Sequence, residues 1–325
     1  MKSVRNIDGV AQLVDVPAPT GDGVRVKVKS SGICGSDLHM LDLGMFGPDM
    51  TIGHEFAGLL DDGTAVAVEP VVSCGICSQC VRGDYNLCGQ ATTDVLGFGQ
   101  DGGMAEEALV GPEQIVRLPA SVDVANACLV EPLAVCARAL RLTGFKADHK
   151  VAIVGGGTIG QCALAVARHV GAPTTLIARH DAQREAALRL GAEVPDSSLP
   201  DSSSDNLPDS SFDIVVDAAG TPDALQLCAR LAAPGAAMSL VSTYWSGLEL
   251  PGVEICMKEI RLYPSIMYGR YNGGRDAEDA AEVLASNPEI PRAIITHRYP
   301  LDAAQEAFAT ARDRASGAIK VVLTP

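Results

Sequence analysis

From residue 1 to about residue 120, apolar and polar positions alternate in short runs, among them Val24 to Val28, Ala65 to Val68 and Ile115 to Leu118, each broken off by Gly or Pro. Runs of this length with a period of two predict β-strands, so this stretch reads as β-rich and irregular. Near Glu131 the period changes. A helical stretch, Pro132 to Leu142, stops at Gly144 and is followed by an apolar strand from Lys150 to Val154, a glycine turn from Gly155 to Gly160, a helix from Gln161 to Val170 and a second strand from Thr174 to Ala178. Further strands recur at Ile214 to Asp217 and Ala237 to Val241. This alternation predicts an α/β domain with a doubly wound parallel sheet, helices on both faces. Beyond about residue 275 the pattern gives a helix over Ala277 to Ala285, a strand near Ile294, a helix from Leu301 and a last strand from Ile319 to Leu323. The expected organisation is therefore residues 1–130 with 275–325 as one domain and 131–274 as the other.

Composition narrows the function classes. At 325 residues the chain is long enough for two domains with separate cores, and 47% hydrophobic with 20% charged residues is ordinary globular composition. No apolar run reaches the roughly 18 residues of a membrane span. A net charge of -15 argues against nucleic acid or anionic lipid as a partner. The first residues, Met1-Lys2-Ser3-Val4-Arg5, lack the apolar segment of a signal peptide, which makes the cytoplasm the expected compartment. One segment is too polar to pack: Pro195-Asp196-Ser197-Ser198 recurs as Pro200-Asp201-Ser202-Ser203 and Pro208-Asp209-Ser210-Ser211, and it reads as a solvated loop.

Four of the ten cysteines, Cys74, Cys77, Cys80 and Cys88, fall within one 15-residue stretch. Short Cys-x-x-Cys turns aim neighbouring sulfurs at one cation, and four thiolates leave zinc no open position, so this lobe predicts a structural zinc. A catalytic zinc keeps an open position, and its ligands need not be close in sequence. Candidates are Cys34 in Gly32-Ile33-Cys34-Gly35-Ser36-Asp37, His54 and Glu55 in Gly53-His54-Glu55, and Glu131 before Pro132. Taken singly, each is more often a packed thiol or a hydrogen-bonded side chain than a ligand.

The order of these segments, the cysteine lobe and the glycine turn resembles the zinc-containing medium-chain alcohol dehydrogenases, in particular the sorbitol and threonine dehydrogenase branch, over nearly the whole chain. The resemblance implies a GroES-like catalytic domain beside a Rossmann domain, and hydride transfer between an alcohol and a nicotinamide cofactor. It makes Cys34 and His54 ligands of the catalytic zinc, Glu55 a direct or exchanging ligand, and Glu131 a contact of zinc or of its bound water. Zinc would lower the pKa of an alcohol from about 16 toward neutrality before hydride leaves. The released proton needs a route out of a buried site, and the resemblance assigns it to Ser36 and His39. It also implies a homodimer or homotetramer. A secondary alcohol, a polyol or a hydroxylated natural product would suit the site as substrate.

The turn Gly155-Gly156-Gly157-Thr158-Ile159-Gly160 after an apolar strand offers backbone N–H groups and a helix N-terminus to a pyrophosphate. The end of the second strand distinguishes NAD from NADP, because an acid there binds the ribose hydroxyl and repels a 2'-phosphate. Here it reads Ala178-Arg179-His180, with Arg184 a turn later, and counting back from Gly191-Ala192 against the pattern of the family it resembles puts Ala178 in the place of the acid. NADP is the expected cofactor, with Asp181 left open as either a displaced acid, which would favour NAD, or the N-cap of the following helix. Two departures from the family are evident: the stretch Leu59 to Thr64 replaces a longer hairpin, and the Pro-Asp-Ser-Ser repeats stand where relatives have a helix. The competing readings are a zinc-free quinone or enone reductase on the same scaffold, which would lack the cysteine lobe and metal residues, and a non-catalytic nucleotide-binding relic, which would have no use for Ser36 and His39.

Overall fold

The computed structural model describes residues 1–47, 49–195, 209–245 and 247–325, so most of the Pro-Asp-Ser-Ser repeat lies outside the described residues. In chain order it contains β1 (Lys2–Ile7), β2 (Val10–Asp15), β3 (Val24–Ile33), α1 (Gly35–Asp42), β4 (Glu55–Leu59), β5 (Ala65–Val68), α2 (Ser78–Arg82), β6 (Glu107–Val110), β7 (Ile115–Arg117) and α3 (Val130–Leu142). It continues through β8 (Val151–Val154), α4 (Thr158–Val170), β9 (Thr174–Ile177), α5 (Asp181–Arg189), β10 (Phe212–Asp217), α6 (Pro222–Leu231), β11 (Ala232–Leu240), α7 (Gly252–Met257) and β12 (Arg261–Pro264). The tail adds β13 (Arg270–Tyr271), β14 (Gly274–Arg275), α8 (Asp276–Ser286), α9 (Glu289–Ile294), β15 (Ile295–Pro300), α10 (Ala304–Arg312) and β16 (Lys320–Thr324).

Two compact units result: Met1–Ala134, Tyr268–Pro291 and Ile295–Pro325 form the first, and Val135–Met267 with Arg292–Ile294 the second. In the first unit a sheet runs in the order β15-β16-β3-β4-β5-β7, with β6 also paired to β3. The long β3 is its spine. It accepts β16 and β4 antiparallel on its two sides near Ile33, and β6 further back near Val24. Alternate residues of these strands, including Val26, Val28, Phe56, Val66 and Val68, bury into one apolar cluster, as the period-two pattern requires. The β4–β5 connection is short, closed at residues 60–64 by the Leu60 N–H donating to the Thr64 carbonyl, the Gly63 N–H donating to the Leu60 carbonyl, and the Asp62 carboxylate accepting from Thr64 N–H at 2.9 Å.

The second unit carries a five-stranded, all-parallel sheet in the order β12-β11-β10-β8-β9. Its strands read as continuous apolar runs because most of them are covered on both faces. Between β8 and α4 the chain reverses at the glycine turn. Gly155 adopts φ 113°, and a Cβ on Gly160 would stand 1.8 Å from the Gly155 carbonyl oxygen. Helix α4 can start at this point only if position 160 has no side chain. Substituting Gly160→Ala should lower the thermal midpoint by several degrees and weaken nicotinamide-cofactor binding at least tenfold, the size of effect a backbone collision and a displaced helix N-terminus produce. Differential scanning fluorimetry and a fluorescence titration check both, and unchanged cofactor affinity would contradict the role given to the turn.

Candidate active site

The site is built by strand register. Gly32 on β3 pairs with Glu55 on β4, and Ile33 pairs with Val321 on β16. Cys34 follows directly as the residue before α1, and His54 directly precedes β4, so segments far apart in sequence meet at one end of the sheet. A Cβ at position 32 would lie 2.1 Å from a Glu55 carboxylate oxygen, so the absence of a side chain there leaves room for that acid. One ligand atom each from Cys34, His54 and Glu55 falls within 4.8 Å of the others.

Three neighbours fix these groups. Asp37 is wholly buried; one of its oxygens accepts the Cys34 N–H at 2.9 Å, and the other stands 3.2 Å from His54 Nδ1, at ion-pair distance but outside hydrogen-bond alignment. Engaging Nδ1 leaves Nε2 as the free nitrogen, the usual arrangement of a metal-binding histidine. The ring of Phe98 leans on His54 with centroids 4.4 Å apart. Lys320, only 2% exposed, reaches from β16 to donate to the Ile33 carbonyl at 2.9 Å and to both oxygens of Glu55 at 2.8 and 2.6 Å.

The electrostatics are those of a buried site rich in negative charge. Burial alone would depress His54, but Asp37 and then Cys34 outweigh it and carry the imidazole well above its ordinary range. Lys320 is treated the same way: burial works against its charge, and Glu55 followed by Cys34 raises it. Glu131, in the first turn of α3, is pushed up to about 7 mainly by burial, with His54 opposing and Glu55 adding to the shift. Sulfur, imidazole and carboxylate converging at one end of the sheet form a donor set that fits zinc. Glu131 stands outside the 4.8 Å cluster, yet near enough for its charge to act on these groups. Ser36 and His39 both lie on α1, Ser36 partly covered and His39 exposed.

Sequence reasoning assigned no role to Asp37, Lys320 or Phe98. Asp37 carried a usable signal, an acid three positions after a helix-capping residue. Lys320 carried another: a lysine inside the apolar strand Ile319 to Leu323 is seldom buried without a partner. Phe98 stands between two glycines and carried none.

The cysteine lobe is the second cluster. Cys74, Cys77, Cys80 and Cys88 place their sulfurs within 4.8 Å of one another, with Cys74–Cys80 at 3.9 Å and Cys77–Cys80 at 3.5 Å. Four sulfurs about 2.3 Å from a central zinc would be about 3.8 Å apart, so the spacing fits that ion. Backbone N–H groups, that of Cys74 first, pull the Cys88 thiol down to about 6, whereas burial pushes Cys80 up to about 11. The lobe is fastened to its unit by Tyr85, whose hydroxyl donates to the buried Glu69, and by Arg270, whose N–H donates to the Gly83 carbonyl at 2.7 Å and whose guanidinium lies over the Tyr85 ring.

In the second unit, Gly157 caps α4, and Thr158, Ile159 and Gly160 form its first turn, with the leading N–H groups directed out of the helix end. Gln161 holds the turn by donating from Nε2 to the carbonyls of Gly156 and Gln183. The end of β9 lies alongside: a Cβ on Gly156 would meet the Ala178 Cβ at 2.5 Å. Ala178 is buried, Arg179 exposed, His180 caps α5 and Arg184 lies on that helix.

Comparison with known proteins agrees with this geometry. Residues 20–120 match the alcohol dehydrogenase GroES-like domain and residues 158–286 the zinc-binding dehydrogenase domain. Galactitol 1-phosphate 5-dehydrogenase of Escherichia coli is 32% identical over 100% of both chains, and the sorbitol dehydrogenase of Bacillus subtilis is 29% identical over 97% of this chain and 93% of its own length. Among solved structures, galactitol-1-phosphate dehydrogenase from Escherichia coli superposes with a TM-score of 0.88 at 30% identity, covering 100% of each chain. A protein of Sinorhizobium meliloti described as a zinc-binding dehydrogenase, solved with NADP bound, has a TM-score of 0.86 at 31% identity, covering 100% of this chain and 99% of that one. The chain thus belongs to the zinc-dependent medium-chain alcohol dehydrogenase family, and it is an oxidoreductase that moves a hydride between an alcohol and a nicotinamide cofactor.

Proposed function

We propose that Cys34 and His54 hold the catalytic zinc with a carboxylate as third protein ligand, that Cys74, Cys77, Cys80 and Cys88 hold a structural zinc, and that the enzyme interconverts a secondary alcohol and a ketone using NADP. The observation that carries the reading is the convergence of Cys34, His54 and Glu55 at one end of the sheet, backed by Asp37. Zinc bound there would supply Lewis-acid polarisation of the substrate oxygen and make its proton easier to lose. Ser36 takes that proton, and His39, one turn further along α1 and open to water, passes it to solvent. Residues 1–130 with 275–325 act as the catalytic domain and 131–274 as the nucleotide domain.

Between the two acids, Glu55 is already engaged by Lys320 through both oxygens, which favours Glu131 as the carboxylate available to the metal. Relatives named for sorbitol and galactitol 1-phosphate make a polyol or polyol derivative the favoured substrate class. For the cofactor, Arg179 offers a cation to a 2'-phosphate, and Ala178 offers no carboxylate to repel it. Strand β12 leaves one edge of the parallel sheet unpaired among the described residues, and the exposed Val253, Met257 and Ile266 lie nearby in sequence, which supports a homo-oligomer formed through this edge. Among the described residues no helix is long and apolar enough to cross a membrane.

Three measurements test this reading. Metal analysis should return about two zinc ions per chain, and Cys34→Ser with His54→Ala should return about one, with turnover abolished; retention of both ions in the double variant would refute the ligand assignment. Arg179→Ala should raise the KM for NADPH about 10- to 100-fold and leave that for NADH nearly unchanged, as expected for one charge-assisted contact. Equal losses would point to NAD instead. Lys320→Met should strand the Glu55 charge and cost about 3–5 kcal/mol of stability in urea unfolding, with much of it recovered when Glu55→Gln is added. Additive losses would show that the pair is not coupled.

A further inference from the structure

Gln161 is fully buried in α4, followed by a run of buried residues from Cys162 to Ala167. Both partners of its Nε2 are carbonyl oxygens, Gly156 at 3.1 Å and Gln183 at 2.8 Å, and carbonyls only accept, so the amide can face them only with its nitrogen. Oε1, at the other end, is buried and meets no donor among the described residues. An apolar side chain of the same length would avoid that cost, so what the amide adds here is the link made by its nitrogen.

That link joins two places that a dinucleotide with an extra phosphate engages at once. Gly156 belongs to the glycine turn that offers N–H groups to a pyrophosphate, and Gln183 belongs to the first turn of α5, close after Arg179 and His180. The glycine turn has supports of its own: Gly155 N–H donates to the Ile177 carbonyl at 2.9 Å, and Gln161 N–H to the Gly157 carbonyl at 3.0 Å. The start of α5 abuts it, since a Cβ on Gly156 would stand 2.5 Å from the Ala178 Cβ and 2.8 Å from the Gln183 Cβ. Arg179 is exposed, so the backbone beneath it sets where its charge is offered.

We propose that Gln161 is a positioning residue for cofactor choice: by tying the first turn of α5 to the glycine turn, it fixes the separation between the pyrophosphate station and the 2'-phosphate station at Arg179. The proposal rests on the reading that Arg179 favours NADP. Two anionic groups on one ligand gain fully from both stations only when the spacing is held beforehand, whereas a loosened α5 still serves a cofactor that carries the pyrophosphate alone.

The test is binding of the reduced cofactors to the zinc-loaded enzyme, followed by nicotinamide fluorescence. Gln161→Met keeps the length of the side chain and removes both donors, and its thermal midpoint reports folding. It should weaken NADPH about 10-fold, the size of effect of one lost charge-assisted contact, and NADH by no more than about twofold. Gln161→Leu, shorter and branched, should give the same split, and Gln161→Met added to Arg179→Ala should weaken NADPH no further. Hydrogen exchange supplies a readout free of cofactor: amides over α5 should exchange faster in Gln161→Met, with those of the glycine turn at the parent rate. Equal losses for the two cofactors, no loss for either, or parent-like exchange over α5 would overturn the proposal. A parent enzyme that binds NADH as tightly as NADPH, or an Arg179→Ala variant that leaves their ratio unchanged, would overturn the cofactor reading, and the proposal with it.

Discussion

A carboxylate taken out of water keeps its charge only if an opposite charge and hydrogen bonds go with it. Glu55, 1% exposed, meets this condition through Lys320, and the pair joins β4 to β16 across the spine strand β3. The same register places Cys34 and His54 side by side. A slip of one residue would turn Glu55 to the opposite face and leave two buried charges unpaired, so the strand alignment that forms the site is also strongly specified. The site therefore derives its precision from the sheet, and the loops that leave it need carry only the residues at their first positions.

How much of this could be read in advance depended on distance along the chain. The glycine turn, the strands on either side of it and the cysteine lobe are local patterns, each complete within a short window, and all were legible: β8, α4 and β9 lie within a few residues of the expected limits. The nearness of Cys34 to His54 is a property of sheet register, which periodicity does not encode; it was reached through resemblance to a family. Lys320 and Glu55 are separated by 265 positions, and no local rule links them. The hairpin of β1 and β2 and the helix α1 were not anticipated, because short elements with few apolar positions give a weak periodic signal. The helical start expected at Leu301 is a short 3-10 turn that leads into α10 at Ala304, and the last strand begins at Lys320, one residue late, with the Ile319 N–H given to the Thr296 hydroxyl at 3.0 Å.

The two cysteine-containing clusters show how different functions draw on different kinds of local structure. The lobe takes all four sulfurs from one loop, so its geometry is set by backbone turns, and closure of the shell leaves a metal there no position for a substrate. Its attachments are the buried hydrogen bond from Tyr85 to Glu69 and the exposed Arg270 over the Tyr85 ring, which suit an element that must stay in one place. The cluster at Cys34 draws on two chain segments and includes one acid, Glu55, with a second, Glu131, outside it but near enough for its charge to act there. An open coordination position requires that not every nearby carboxylate bind at once. Lys320, which donates to both oxygens of Glu55, holds one of these acids back and offsets its charge, so the number of ligands a metal would take there stays low.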